Sequence, residues 1–171
     1  RALLERDSDL ARQVICEDDQ IDRIDVEIEE KCIRLLALRQ PAARDLRFIT
    51  TAIKINGHLE RIGDMAGNIA EKAIILNEVP QIKPYIDLPR MAEISRGMIR
   101  DSLDALVHGN IEQAKKVREE DDTIDQLNEQ IFRELLTFML EDPRKIHASL
   151  YIMQISKSLE RISDHAAGIA D

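Results

Sequence analysis

A chain of 171 residues can bury a core without staples, and its composition, 44% hydrophobic, 33% charged, 3% aromatic and without Trp, is that of helices packed by Leu, Ile and Ala. The formal net charge of -9 argues against a nucleic-acid partner: phosphate binding needs a basic stripe, and runs such as Glu17-Asp18-Asp19 and Glu119-Glu120-Asp121-Asp122 repel phosphate. No apolar run approaches the ~20 residues of a membrane span, the first residues lack the features of a signal peptide, and Cys16 and Cys32 stand in no CxxC or Cys/His spacing. The reading is therefore a cytoplasmic or peripheral protein with two structural thiols in a reducing compartment.

The expected fold is all-α and internally duplicated. Ala2, Leu3, Ala11, Val14, Glu17, Asp18, Asp19, Ile21 and Asp22 recur as Ala105, Leu106, Ala114, Val117, Glu120, Asp121, Asp122, Ile124 and Asp125, a shift of 103 positions. In chain order, Asp7 stands where the first long helix should start. Ile21, Ile24, Ile28 and Cys32 then recur at spacings of three and four, a stripe that should face a partner helix. Pro41 marks a turn. The next helix carries the stripe Leu59, Ile62, Ala66 and Ile69, and its segment Leu59-Glu60-Arg61-Ile62-Gly63-Asp64 recurs as Leu159-Glu160-Arg161-Ile162-Ser163-Asp164, a shift of 100. The change of shift places a three-residue length difference in the interval that holds Pro41 and Pro143.

Val79 to Pro89 holds three of the five prolines and reads as the linker between copies. A helix over about Arg90 to Val107 follows. Gly109 then Asn110 reads as a helix stop and an N-cap, with Gln113 completing a capping box, and Asp142-Pro143 reads as an N-cap followed by Pro at the first helical position. The architecture expected is two tandem three-helix bundles of spectrin-repeat-like build, residues 1–78 and 90–171, joined by a linker at 79–89. The counterpart of the Arg90–Val107 helix would precede Arg1, so the first bundle should lack most of its opening helix here. A start without Met and a stop at Asp171 inside a helical pattern suggest part of a longer chain.

Four times an acidic residue precedes an Asp by four positions: Asp18 and Asp22, Glu60 and Asp64, Asp121 and Asp125, Glu160 and Asp164. On a helix such pairs share a face with Cβ atoms about 5–6 Å apart, and like charges there cost roughly 0.2–0.5 kcal/mol per pair. A bound cation is one compensation. If the long helices of a copy run antiparallel, one pair from each would converge on a four-carboxylate cluster, with oxygen ligands suited to Mg, Mn or oxidised Fe, and Zn also accepted. The competing readings are a solvated acidic face, attraction of Asp18 and Asp121 to helix starts, and neutralisation by Arg61 and Arg161. The residues three before His58, His108, His147 and His165 are Ile55, Ala105, Arg144 and Ile162, so the Glu-x-x-His pattern of di-iron bundles is absent. There is no HExxH, phosphate loop or nucleophile elbow. His165, opposite Met65 in the duplication, reads as a surface or packing residue.

The chain resembles the PhoU family. The resemblance rests on Glu17-Asp18-Asp19-Gln20-Ile21-Asp22, on Lys31 to Leu38 leading into Arg39-Gln40-Pro41-Ala42-Ala43-Arg44-Asp45-Leu46-Arg47, and on Leu59 to Asp64, with degenerate copies in the second half. It implies two three-helix bundles and a homodimer. It also implies multinuclear metal sites, iron or zinc first with Mn or Mg as other candidates, on Asp18, Asp22, Glu60 and Asp64 and on Asp121, Asp125, Glu160 and Asp164. The function implied is a non-catalytic negative regulator of phosphate-starvation signalling. Such a protein connects the ATPase subunit of the phosphate ABC transporter with a sensor histidine kinase, in the cytoplasm or at the inner membrane face. The alternative from another class is a carboxylate-bridged metal store or metalloenzyme, and a third is a bare helical scaffold.

Overall fold

The computed structural model describes residues 1–171. It contains five α-helices and no strand: α1 Ser8–Arg39, α2 Ala43–Asn77, α3 Asp87–His108, α4 Ile111–Glu141 and α5 Ile146–Ala170, with a 3-10 turn at Pro143–Lys145 before α5. The punctuation has local causes. Gln40 adopts a left-handed backbone (φ 42°) that stops α1, and Pro41 and Ala42 bridge to α2. Asp142 caps the 3-10 turn through Arg144 N–H, with Pro143 at its first position.

The duplication is visible in hydrogen bonding. Residues 1–5 form one helical turn closed by Arg6 at φ 53° and by Asp7 N–H donating to Ala2 O at 2.9 Å; α3 is closed by Gly109 at φ 63° and by Asn110 N–H donating to Ala105 O, also at 2.9 Å. The residue after each left-handed position then caps the next helix. Asp7 accepts from Asp9 and Leu10 N–H, and Asn110 accepts from Gln113 N–H. The expected capping box at Asn110 is only half formed. Its backbone N–H is already committed to Ala105, so Gln113 Oε1 meets the Asn110 side-chain amide instead. Asp7→Ala is expected to cost about 1 kcal/mol, since a lost cap leaves helix-start N–H groups unpaired; urea unfolding measures it.

Two packing relations organise the molecule. Helices α1 and α2 pack against each other along their length, α3, α4 and α5 pack mutually, and α2 lies on α5, joining the two groups. The main apolar core belongs to the second group, with Met91 and Met98 from α3, Ile124, Ile131 and Leu135 from α4, and Ile152, Ile155 and Ile162 from α5. Between α2 and α3, Val79, Ile82 and Tyr85 pack on that core, and the buried Lys83 ammonium pairs with Glu134 of α4. Burial pushes the Tyr85 phenol up. Helix α3 starts three residues earlier than the expected Arg90, because Pro89 fits in a first turn whose N–H groups have no intrahelical partner.

Two expectations need correction. The α1 stripe is only partly covered: Ile21 and Ile24 are 37% and 56% exposed, whereas their counterparts Ile124 and Leu127 are 0% and 5% exposed. Helix α1 touches α2 alone among the helices, while α4 is clasped by both α3 and α5. Of the two free thiols, Cys32 is buried but Cys16 is exposed, so Cys16 fills no core position. The acidic average also conceals a local reversal. The tip of the α1–α2 hairpin gathers Lys31, Arg34, Arg39, Arg44, Arg47 and Lys54 against Asp45 alone, beside the exposed Leu38 and Phe48.

Candidate functional site

Helices α1 and α2 run antiparallel, which sets the face of Asp18, Asp22 and Asp25 against the face of Asn56, Glu60 and Asp64. Asp18 lies over a notch in α2: a Cβ on Gly63 would come within 2.9 Å of Asp18 Oδ1, and one on Gly67 within 3.3 Å of Asp18 Oδ2. Glycine at both positions is what lets the carboxylate approach the α2 backbone. Ligand oxygens of Asp18, Asp22 and Asp64 all lie within 4.8 Å of one another, and Asp18 Oδ1 is buried with no hydrogen-bond partner. Glu60 flanks the trio. One turn further, Asn56 Nδ2 donates to Asp25 O at 2.9 Å and to Asp25 Oδ1 at 2.8 Å, a part-buried tie that fixes the register of the two helices.

Helices α4 and α5 repeat this arrangement with different chemistry. Asp121, Asp125, Glu160 and Asp164 face one another, and Asp121 Oδ1 and Glu160 Oε2 are buried without partners. The register tie recurs as Ser156 Oγ to Asn128 Oδ1 at 2.6 Å, at the positions matching Asn56 and Asp25. No three ligand oxygens of this second quartet approach as closely as those of Asp18, Asp22 and Asp64. Instead, the Lys157 ammonium pairs with Glu160. Ser163 and Ala167 stand where the first copy has Gly63 and Gly67, and Ser163 Oγ is turned onto Glu160 O at 2.7 Å.

Electrostatics differ accordingly. Burial first, then the negative charges of Asp22, Asp64 and Asp19, raise the Asp18 carboxyl above its ordinary value. Burial and Asp64, Asp25 and Asp22 raise Glu60 against the opposing pull of Arg61. In the second quartet burial and the neighbouring acids raise Asp125 and Asp164, and there Lys157 opposes the shift. Glu160 is the one motif acid held in an ion pair, and its partner is Lys157, not Arg161. Burial leads each of these shifts, and the repulsion among carboxylates that adds to it is what a cation between them would relieve.

Sequence reasoning passed over Asn56, Asp25, Ser156, Asn128 and Lys157. The signal for the first four was their spacing on the same helical face: Asp25 and Asn128 stand three residues after their acid pairs, and Asn56 and Ser156 four residues before theirs. His165 is half-buried at the α2–α5 seam, where its Nδ1 lies 3.1 Å from Nδ1 of His58. Burial, His58, Arg61 and Arg161 lower its pKa, which favours the neutral ring that such a contact requires. Gly168 makes room for it, since a Cβ there would come within 2.6 Å of His58 Cε1.

The fold is shared with known proteins. The model of the PhoU domain family matches residues 1–73 and 88–171. The chain is 46% identical over 160 residues to a phosphate-specific transport system accessory protein PhoU homolog of Aquifex aeolicus, covering 94% of this chain and 72% of that protein. To the protein of the same description from Caulobacter vibrioides it is 43% identical, covering 99% and 74%. The crystal structure of PhoU from Pseudomonas aeruginosa superposes with a TM-score of 0.95 at 42% identity, covering 99% of this chain and 81% of that one. The phosphate transport system regulatory protein PhoU from Streptococcus pneumoniae gives a TM-score of 0.88 at 29% identity, covering 99% and 79%.

Proposed function

This chain belongs to the PhoU family, and on that premise we propose that it is an accessory regulator of phosphate-specific transport, a non-catalytic helical adaptor. The observation that carries this reading is similarity over nearly the whole chain to proteins named as phosphate-specific transport system accessory proteins. The adaptor holds phosphate-starvation signalling off when phosphate is plentiful by linking the transporter's ATPase subunit to a sensor histidine kinase, and it works as a homodimer at the cytoplasmic face of the membrane. No helix is long and apolar enough to cross a membrane, which is compatible with a peripheral role. The basic, apolar tip of the α1–α2 hairpin offers an acidic partner a complementary surface, and charge complementarity sets partner choice and encounter rate.

The same reading assigns metal to the quartets, iron or zinc first and manganese or magnesium as further candidates. The first quartet fits a cation on three counts: the orphaned Asp18 Oδ1, the glycine notch that seats Asp18, and an all-carboxylate donor set. There Asp18, Asp22, Glu60 and Asp64 would hold the metal, which would supply charge neutralisation and a cross-link between α1 and α2. In the second quartet Asp121, Asp125, Glu160 and Asp164 would do so between α4 and α5.

Deleting the gene is expected to raise phosphate-starvation reporter output in phosphate-rich medium. Unchanged output would sink the regulatory reading. The metal reading is checked by elemental analysis of untagged protein beside an Asp22→Ala, Asp64→Ala, Asp125→Ala, Asp164→Ala variant; several equivalents in the wild type, lost in the variant, are expected.

A further inference from the structure

The duplication makes each half of the molecule a control for the other, and the two acidic sites differ most at one pair of matched positions. Lys157 of α5 corresponds to Gly57 of α2. Three residues on, Lys157 reaches Glu160 and pairs with it, while Gly57 leaves Glu60 without a cation at that position. Glu160 is 9% exposed, and its second oxygen, Oε2, is buried and unpartnered, so the Lys157 ammonium supplies the one counter-charge in direct contact with that carboxylate. Around it Asp121, Asp125 and Asp164 stay further apart than Asp18, Asp22 and Asp64 do. The notch that seats Asp18 over Gly63 and Gly67 has become Ser163 and Ala167.

We infer that the two quartets are unequal. The first is the tighter cation site of this chain, and in the second Lys157 serves as a built-in counter-ion that weakens metal binding. The inference rests on the metal-binding reading above and assigns it to one half of the molecule. The physical reason is that the ammonium takes up one oxygen of the Glu160 carboxylate, leaving only Oε2 open, and its charge repels an incoming divalent ion. It also predicts that the difference is transferable. A Cβ on Gly57 meets nothing within 4 Å, so a lysine fits there, three residues before Glu60, in the geometry of Lys157 and Glu160.

Manganese(II) titration of chelator-treated full chain, followed by electron paramagnetic resonance of free and bound ion, tests this without any activity assay. Asp22→Asn with Asp64→Asn should remove the manganese bound by the wild type, and Asp125→Asn with Asp164→Asn should leave it. Lys157→Met should open a second class of bound ion, while Lys157→Arg, which keeps the charge, should not. Gly57→Lys should weaken the first site by about tenfold or more, the effect of one added like charge beside the ion. Circular dichroism verifies that each variant is folded, and the half-exposed Lys157 side chain makes its replacement tolerable. Equal losses from the two double variants, or no change on Lys157→Met together with none on Gly57→Lys, would overturn the inequality while leaving metal binding intact. No bound manganese, iron or zinc in any variant would overturn both.

Discussion

Ile124→Ala is expected to destabilise the protein by about 2–5 kcal/mol, the range for emptying a tightly packed aliphatic site, whereas Ile21→Ala, its counterpart in the duplication, should cost about 1 kcal/mol or less. Ile124 is 0% exposed and belongs to the core formed by α3, α4 and α5, while Ile21 is 37% exposed on a helix with a single neighbour. Truncating Ile124 strips contacts on every side and leaves a cavity. Truncating Ile21 removes contacts on one side, and water fills the space. Denaturant unfolding of both variants decides the matter, with an unchanged denaturant dependence as the control for a two-state comparison. Equal losses would mean that α1 is buried in the protein as it exists in solution, by an association that covers its stripe.

Metal should invert the pH dependence of stability. Asp18, Glu60, Asp125 and Asp164 have pKa values raised by burial and by neighbouring carboxylates. A carboxyl raised in the folded state favours folding most at pH below its unfolded value, and that contribution is lost as the pH climbs through the raised folded value. The metal-free protein is therefore expected to gain stability from these groups on acidification from pH 7. Asp142, lowered by its hydrogen bonds to Arg144, acts in the opposite sense, so the measurement is the difference from a variant carrying Asp18→Asn and Asp164→Asn. With a divalent cation in the first quartet the sign reverses there, because the ligands must be deprotonated and binding fades as the pH falls through the raised values of Asp18 and Glu60. At a hundredfold excess over the dissociation constant the gain at pH 7 is about 2.7 kcal/mol, and at a thousandfold about 4.1 kcal/mol. Thermal unfolding across pH with and without manganese measures it. An identical pH profile in both conditions would exclude a cation at the carboxylates.

Much of the backbone was legible in the sequence because helix starts and stops are local events. Asp7, Asn110 and Asp142 cap where their side chains and neighbours predict, and Gly109 takes the left-handed conformation that closes α3. Arg6 does the same at φ 53° without being a glycine, and nothing in its residue type announces it; its guanidinium donates to the carbonyls of Asn77 and Val79 at the end of α2, a long-range contact that steadies an otherwise disfavoured backbone. The acid pairs were readable as sharing a helical face, since spacing fixes direction along a helix.

What the sequence by itself determined was periodicity, and with it the helices, their order and the duplication that matches residues across shifts of 103 and 100. Only the tertiary structure decided which faces are covered and which charges meet. Equal stripes on α1 and α4 met unequal neighbours, so Ile21 is part-exposed and Ile124 is buried. Equal acid pairs met unequal surroundings: Asp18 of α1 settles over Gly63 and Gly67 of α2, a close approach that no spacing within α1 announces. The reason is physical: a helix's hydrogen bonds are made within four residues and can be read locally, whereas burial and Coulomb energy depend on groups brought together from distant parts of the chain.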